Sequence, residues 1–269
     1  MKILAISGTH PRHLHYFNAI YQQFGLAGIL LEGRGTMLPE PPALISDHDR
    51  HNFMLHFRNR DQAEHKYFGQ PSVPDCRTLR MLAGQLNSPK SVSFVEKIKP
   101  DLVLIYGSMM IREPLFSRLP RQTVNLHGGL SPRYRGSATL FWPFYFMEPT
   151  YAGCTFHYIV SEPDAGEIIH QTVPSLEKGD GIHDVGCKAI IASTEAMLEL
   201  LKVFQKQGIW QVSKQRSSGK NFLQKDFRPE HLRVNYDLFD DQMVGEYLEG
   251  RLHCQKPILV RQSIPNGSA

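Results

Sequence analysis

The sequence predicts an α/β protein built on an open, mostly parallel sheet. Three observations carry that expectation: a strand–helix–strand opening, an unbroken apolar run at 101–106, and one long amphipathic helix late in the chain. Residues 2–7 (KILAIS) form a short apolar strand that ends at Gly8. After the polar loop 9–13, Leu14, Phe17, Ile20, Tyr21 and Phe24 recur at helical spacing, and Gly25 stops the helix. Residues 27–31 (AGILL) read as a second strand, which completes the unit from which parallel sheets are assembled. The stretch 32–42, rich in Gly and Pro, reads as loop. Residues 47–68 are polar with spaced aromatics and read as a long exposed helix.

Residues 101–106 (DLVLIY) follow Pro100 as a continuous apolar run, the pattern of a central strand covered on both faces. Further strands are expected at 123–127 (TVNLH), 153–160 and 167–173. Over 183–205, Val185, Ala189, Ile190, Ala196, Leu200, Leu201 and Phe204 keep helical spacing, and Gly208 closes that helix. The pattern then weakens. At about 150 residues per domain, the 269 residues suit one main domain, 1–208, with a small C-terminal extension, 209–269.

Composition narrows the function classes. Hydrophobic residues make up 41% and charged residues 21%, enough apolar content for a full core and too much for a disordered chain. The net charge of +4 suits an anionic small molecule and lacks the basic block of a dedicated nucleic-acid binder. Cys76, Cys154, Cys187 and Cys254 form no CxxC pair, so no structural metal is expected, and isolated thiols fit a cytoplasmic protein. The N-terminal apolar stretch is too short for a signal-peptide core, and no run is long enough to span a membrane.

Two polar clusters could carry chemistry. Asn125 and His127 stand two apart on an expected strand, so both face the same side at its carboxyl end, where open α/β sheets bind ligands. An amide N–H can stabilise an oxyanion, and an imidazole can move a proton near neutral pH. The plain alternative is an amide satisfied by local backbone beside a packed histidine. Gly128 and Gly129 follow, then Pro132, Arg133 and Arg135. The second cluster is 157–166 (HYIVSEPDAG), where Asp164 either caps its own turn or faces His127. The first loop adds His10 and Arg12 before a helix N-terminus, a place suited to an anion, although it lacks the G-x-G-x-x-G of a dinucleotide site.

Taken together, N-x-H, G-x-S-P-R-Y-R-G and then G-x-T-x-H with a later D-x-G-x-I-I resemble the folate-dependent formyltransferases. That family includes glycinamide ribonucleotide, methionyl-tRNA and nucleotide-sugar enzymes. Its pattern reads roughly N-[IVL]-H-x-S-L-L-P-x-[YFW]-x-G. Here the stretch is NLHGGLSPRYRG, with Gly129 in place of Ser and Ser131 in place of Leu, while Asn125, His127, Pro132 and Gly136 remain. The resemblance is firm over about 100–175 and loose over 1–100, and its motifs do not extend beyond about 206.

The resemblance implies a Rossmann-like formyltransferase fold, a catalytic Asn125, His127 and Asp164, and 10-formyltetrahydrofolate as formyl donor. It implies a pterin against the backbone of 106–112 and the turn at 162–164, with Tyr106, Ser108, Met109, Ile111 and Glu162 as binding residues and Met110 as core. His157 is expected just outside the reacting atoms. His10, Arg12, Arg133 and Arg135 are the expected contacts to an anionic acceptor. The aromatic stretch 138–146 and the C-terminal extension resemble the sugar-nucleotide enzymes most, which makes a nucleotide-linked amino sugar the expected acceptor. Rings within 141–146, Tyr236 and Phe239 are candidates to stack on its base. Methionyl-tRNA and glycinamide ribonucleotide stay as alternative acceptors, a formyltetrahydrofolate hydrolase and a non-catalytic nucleotide-sugar binder as alternative functions, and a homodimer as an open option.

Overall fold

The computed structural model describes residues 1–33, 37–216 and 219–262, so part of the expected loop 32–42 and the last residues of 209–269 lie outside the described residues. In chain order the elements are β1 (Ile3–Ser7), α1 (Pro11–Phe24), β2 (Gly28–Glu32), α2 (Asp47–Phe68), β3 (Thr78–Met81), α3 (Pro89–Ile98), β4 (Leu102–Tyr106) and β5 (Thr123–His127). They continue with β6 (Tyr134–Gly136), α4 (Trp142–Tyr145), β7 (Cys154–Tyr158), β8 (Ile168–Thr172), α5 (Ile182–Gln207), β9 (Lys220–Phe222) and α6 (Met243–Leu248).

Seven strands form one sheet in the order β3-β2-β1-β4-β5-β7-β8. The first five are mutually parallel, β7 is antiparallel to β5, and β8 is antiparallel to β7. This is the open, mostly parallel α/β sheet of the sequence reading. The order reverses between β1 and β4, which opens a crevice at the carboxyl ends of those strands.

Side chains alternate across the sheet, so each strand feeds two cores. Ile3, Ala5, Leu104, Val124, Leu126 and Phe156 pack with residues of α1, α2 and α5. Leu4, Ile6, Val103 and Ile105 pack with Val95 and Ile98 of α3. Pro11 starts α1 with its φ already helical and no N–H to lose, and Gly25 ends it at φ 72°.

The long helix α2 has the expected bounds but is not exposed: Asn52, Phe53, His56, Glu64 and Phe68 are buried. Its buried polar side chains are each paired. Asp49 accepts from Arg233 Nε and Nη2, both at 2.7 Å, and Asn52 Nδ2 donates to Asp237 at 2.8 Å. His56 Nδ1 lies 3.0 Å from the Tyr236 hydroxyl, and Glu64 pairs with Arg12. Phe53, Ala63 and Phe68 of the same helix pack into the apolar cores on either side of it.

Residues beyond Gly208 pack closely on the sheet and its helices. Trp210 is 2% exposed, with its ring 4.5 Å from Phe204 and Nε1 donating to the Leu200 carbonyl at 2.8 Å. Ser213 exchanges two backbone hydrogen bonds with Ile168, at 2.8 and 2.9 Å. β9 pairs with β6, and Leu232, Tyr236, Met243 and Val244 share a core with Phe53, Phe141, Trp142 and Phe144. That burial removes Phe141, Trp142, Phe144 and Tyr236 from the rings free to stack on a ligand, whereas Phe146 stays 41% exposed. Farther along, the Gln171 N–H donates to the Val260 carbonyl at 2.7 Å and Gln262 N–H to His170 Nδ1 at 3.1 Å, so the chain lies along β8. Among the described residues no helix is long and apolar enough to cross a membrane.

Candidate active site

β5 is paired on both edges, so its side chains are fixed in register. Asn125 is the cross-strand partner of His157 and His127 that of Thr155. These four polar side chains share the face opposite Val124, Leu126 and Phe156. The turn after β7 brings Asp164 onto the same face, with its backbone in the left-handed region at φ 50°.

The Asp164 carboxylate is the hub of the cluster. Its Oδ2 lies 3.4 Å from His127 Nδ1 and accepts from the Gly136 N–H at 2.9 Å. Its Oδ1 lies 3.3 Å from His157 Nε2 and 3.5 Å from Asn125 Nδ2, and Asn125 Nδ2 is also 3.2 Å from His157 Nε2. Burial acts to raise the Asp164 carboxyl, but His127, His157 and the Gly136 N–H outweigh it and hold the group below the usual carboxylate range. His127 is 6% exposed, and burial lowers it from its ordinary value even against the pull of Asp164. Its Nε2 lies 2.9 Å from the Tyr134 carbonyl, which can only accept. The proton of the neutral ring therefore sits on Nε2, and a lone pair on Nδ1 faces the carboxylate. A ring that gains a proton at Nδ1 would face the Asp164 carboxylate 3.4 Å away, which favours its charged form. His157, expected just outside the reacting atoms, contacts both Asn125 and Asp164.

The loop after β5 is tied by three hydrogen bonds. Thr155 Oγ1 donates to the Gly129 carbonyl at 2.7 Å, the Ser131 N–H donates to Thr155 Oγ1 at 3.0 Å, and Gln171 Nε2 donates to the Ser131 carbonyl at 2.7 Å. This packing explains the departure from the family pattern at Gly129. A Cβ there would stand 2.6 Å from Thr139 Cβ, and 2.7 Å from both His127 Nε2 and the Tyr134 carbonyl. Gly129→Ser is expected to break the His127–Tyr134 bond, destabilise the fold by about 1–3 kcal/mol and lower turnover further than that loss explains. Thermal melts and steady-state rates would check it, and a serine variant with wild-type turnover would show that the loop yields.

The other expected residues fall in separate places. Tyr106 is buried, with its ring 4.7 Å from His13, so only its backbone lies at the crevice. The loop after β4 is held by neighbouring side chains: Met109 N–H donates to Glu32 at 2.7 Å and Arg112 N–H to Asn87 at 2.7 Å. Met109 is 51% exposed, whereas Ile111 is packed in the α3 core. Ser108 Oγ donates to the Met109 carbonyl at 3.0 Å, and Glu162 is exposed. Arg133 forms a two-point pair with Glu148 at 3.0 and 2.5 Å. Arg135 turns inward and donates through Nε to the Pro163 carbonyl at 3.1 Å, bracing the Asp164 turn.

In the first loop His10 stacks on His13, with ring centroids 5.3 Å apart, and Arg12 is committed to buried Glu64. Arg12→Ala would leave that carboxylate without its cation and is expected to cost about 3 kcal/mol of stability. Chemical denaturation would measure this, and an unchanged midpoint would show that Glu64 finds another partner. Among the described residues no group of three or more His, Cys, Asp or Glu side chains could hold a metal ion. A cavity of about 300 Å³ lined by Phe116, Pro120, Arg121 and Tyr158 opens at the amino end of β5, away from His127.

Residues 46–201 match the formyl transferase family model, more than half of the chain, and the chain belongs to that family. Similar solved structures include a 4-N formyltransferase from Francisella tularensis, with 17% identity, 87% of this chain and 86% of that one covered, and a TM-score of 0.55. A phosphoribosylglycinamide formyltransferase from Anaplasma phagocytophilum matches at 17% identity, covering 83% of this chain and 98% of that one, with a TM-score of 0.56. An N-formyltransferase from Helicobacter canadensis, solved with folinic acid and dTDP-3-aminofucose, matches at 15% identity, covering 85% and 73%, with a TM-score of 0.56. At these identities the likeness is one of fold.

Proposed function

We propose that the chain transfers a formyl group from 10-formyltetrahydrofolate to the primary amine of a nucleotide-linked amino sugar. The observation that carries this reading is the convergence of Asn125, His127 and Asp164 on one face of the sheet. In this reading residues 1–208 hold the reacting groups and 209–269 form the C-terminal extension.

The folate supplies the formyl carbon and carries N10 away as the leaving nitrogen. The loop Ser108–Arg112 suits its pterin, because it follows β4 directly beside β5, and Ile105 is the register partner of Asn125. Asn125 gives up its long contact to Asp164 and donates to the charge that develops on the formyl oxygen. The neutral His127 takes the amine proton at Nδ1, and Asp164 stabilises the resulting imidazolium before the proton moves on to the leaving nitrogen. The products are the formamide and tetrahydrofolate.

Three facts favour a sugar nucleotide as acceptor. A fold relative was solved with dTDP-3-aminofucose, the net charge of +4 is mild, and Arg12 is already neutralised by Glu64, which removes one phosphate ligand from the first loop. A sugar nucleotide makes few phosphate contacts, so its binding should depend weakly on salt, whereas tRNA binding should weaken steeply. The test is formyl transfer at several salt concentrations to amino-sugar nucleotides, glycinamide ribonucleotide and charged initiator tRNA, read by mass spectrometry. Formylation of a sugar nucleotide with shallow salt dependence is expected. Transfer only to tRNA or glycinamide ribonucleotide would replace the acceptor, and formate release without any acceptor would replace transfer by hydrolysis.

A further inference from the structure

We propose that Gln215, in the segment that follows α5, is a positioning residue that locks the Asp164 turn and so holds the carboxylate against His127. The inference rests on the reading of Asp164 as part of the formyl-transfer site, and it extends that site beyond the family match, which ends at residue 201.

A turn that places a non-glycine residue at φ 50° needs outside support. Three groups provide it. Gly136 N–H holds the carboxylate, Arg135 holds the Pro163 carbonyl, and the Gln215 amide holds the Asp164 and Gly166 carbonyls. Gln215 Nε2 donates one N–H to the Asp164 carbonyl at 2.7 Å and the other to the Gly166 carbonyl at 2.8 Å. Both donors of the amide are thus spent on the backbone on either side of Ala165. Gly166 is itself wedged, since a Cβ there would stand 1.7 Å from the Tyr158 carbonyl, so the far end of the turn cannot shift toward β7.

Gln215 reaches this position by a chain of anchors. Trp210 is buried against α5, and Ser213 is bound on both sides of its backbone to Ile168, the first residue of β8. Two residues later Gln215 faces the turn that precedes β8. The chain then joins β6 through β9, the strand whose Gly136 N–H holds Asp164 from the other side. One segment therefore fixes the Asp164 turn directly, through Gln215, and indirectly, through β6. Among the described residues, Asn125, His127 and His157 contact the carboxylate, whereas the backbone carbonyls of the turn are held by Arg135 and Gln215.

The test compares full-length Gln215→Leu, Gln215→Glu and Gln215→Asn with wild type. Leucine removes both donors, glutamate sets an acceptor against two carbonyls, and asparagine keeps the amide on a shorter arm. Turnover is expected to fall about 10- to 100-fold in the leucine and glutamate variants, with Michaelis constants within about twofold of wild type, and to be partly restored by asparagine.

A second readout does not depend on any acceptor: amide hydrogen exchange at Gly136, whose N–H is held by the Asp164 carboxylate. It is expected to quicken about tenfold in Gln215→Leu while the β5 amides stay at wild-type rates. A folded Gln215→Leu with wild-type turnover and wild-type Gly136 exchange would overturn the proposal. If the leucine variant does not fold, Gln215→Asn decides: wild-type values there overturn it, and intermediate ones support it. If no acceptor is formylated, the transfer reading fails, and Gly136 exchange still decides the role of Gln215.

Discussion

Asn125→Ala is expected to lower turnover by on the order of 100- to 1,000-fold, about 2.7–4 kcal/mol, while the melting temperature moves by only a few degrees. The side chain makes two long contacts, at 3.2 and 3.5 Å, so the fold loses little when it is removed. The reaction loses a donor at the point where charge develops. His127 and Asp164 should behave as one unit, because the imidazolium formed at Nδ1 depends on the carboxylate 3.4 Å away. Losing either should remove most activity, and losing both should cost far less than the product of the two losses. Single-turnover rates for Asn125→Ala, His127→Ala, Asp164→Asn and the double variant would measure this. Simple multiplication of the two single losses would reduce Asp164 to a turn residue, and an unimpaired Asn125→Ala would remove the oxyanion role.

Acidification from pH 7 to pH 5 is expected to remove on the order of 4 kcal/mol of stability. Burial holds His56, His127, His170 and His183 below their ordinary 6.5, His170 at about 4 and His183 at about 3. In the unfolded chain these rings bind protons from about pH 6.5 downward, while in the folded chain they do so only at lower pH. Unfolding is therefore favoured increasingly as pH falls below 6.5, until the folded values are reached. At pH 5, His170 and His183 contribute about 2 kcal/mol each. Asp164 acts in the same direction at lower pH. Its folded value is depressed, so its contribution is complete above 3.8 and is lost as pH falls through the folded value. Urea denaturation at pH 7, 6 and 5 would follow the loss. A flat profile would mean that the folded chain protonates these rings as readily as the unfolded one.

The parts legible in the sequence are those in which one local pattern decides the outcome. Helix α1 showed its apolar stripe and its Gly25 stop, β4 its continuous apolar run, and Asn125 and His127 their shared face. β3 was not legible because it lies at the sheet edge and Thr78 and Arg80 are exposed, so no apolar run marks it. α3 carried its start signal, Ser88-Pro89, but the helix is only ten residues long and its buried apolar residues are Val95 and Ile98. The polar helix α2 reads as exposed until Arg12, Arg233 and Tyr236 are seen to cover it, and those partners come from distant parts of the chain. The same limit hid Gln215. A hydrogen bond across 51 residues to a backbone carbonyl leaves no trace in spacing or composition. The family pattern pointed to Asp164 and could not show what supports it.

The chain laid along β8 matters for more than the integrity of the fold. A terminal strand normally offers a row of unpaired N–H and C=O groups, on which another molecule's strand can assemble. Here Ser213 occupies those groups at Ile168, Val260 at Gln171, and the Gln262 side chain at the Ile169 carbonyl. The segment 258–262 therefore occupies groups on which another strand could pair, and its deletion is expected to raise light scattering at a given protein concentration before it lowers activity.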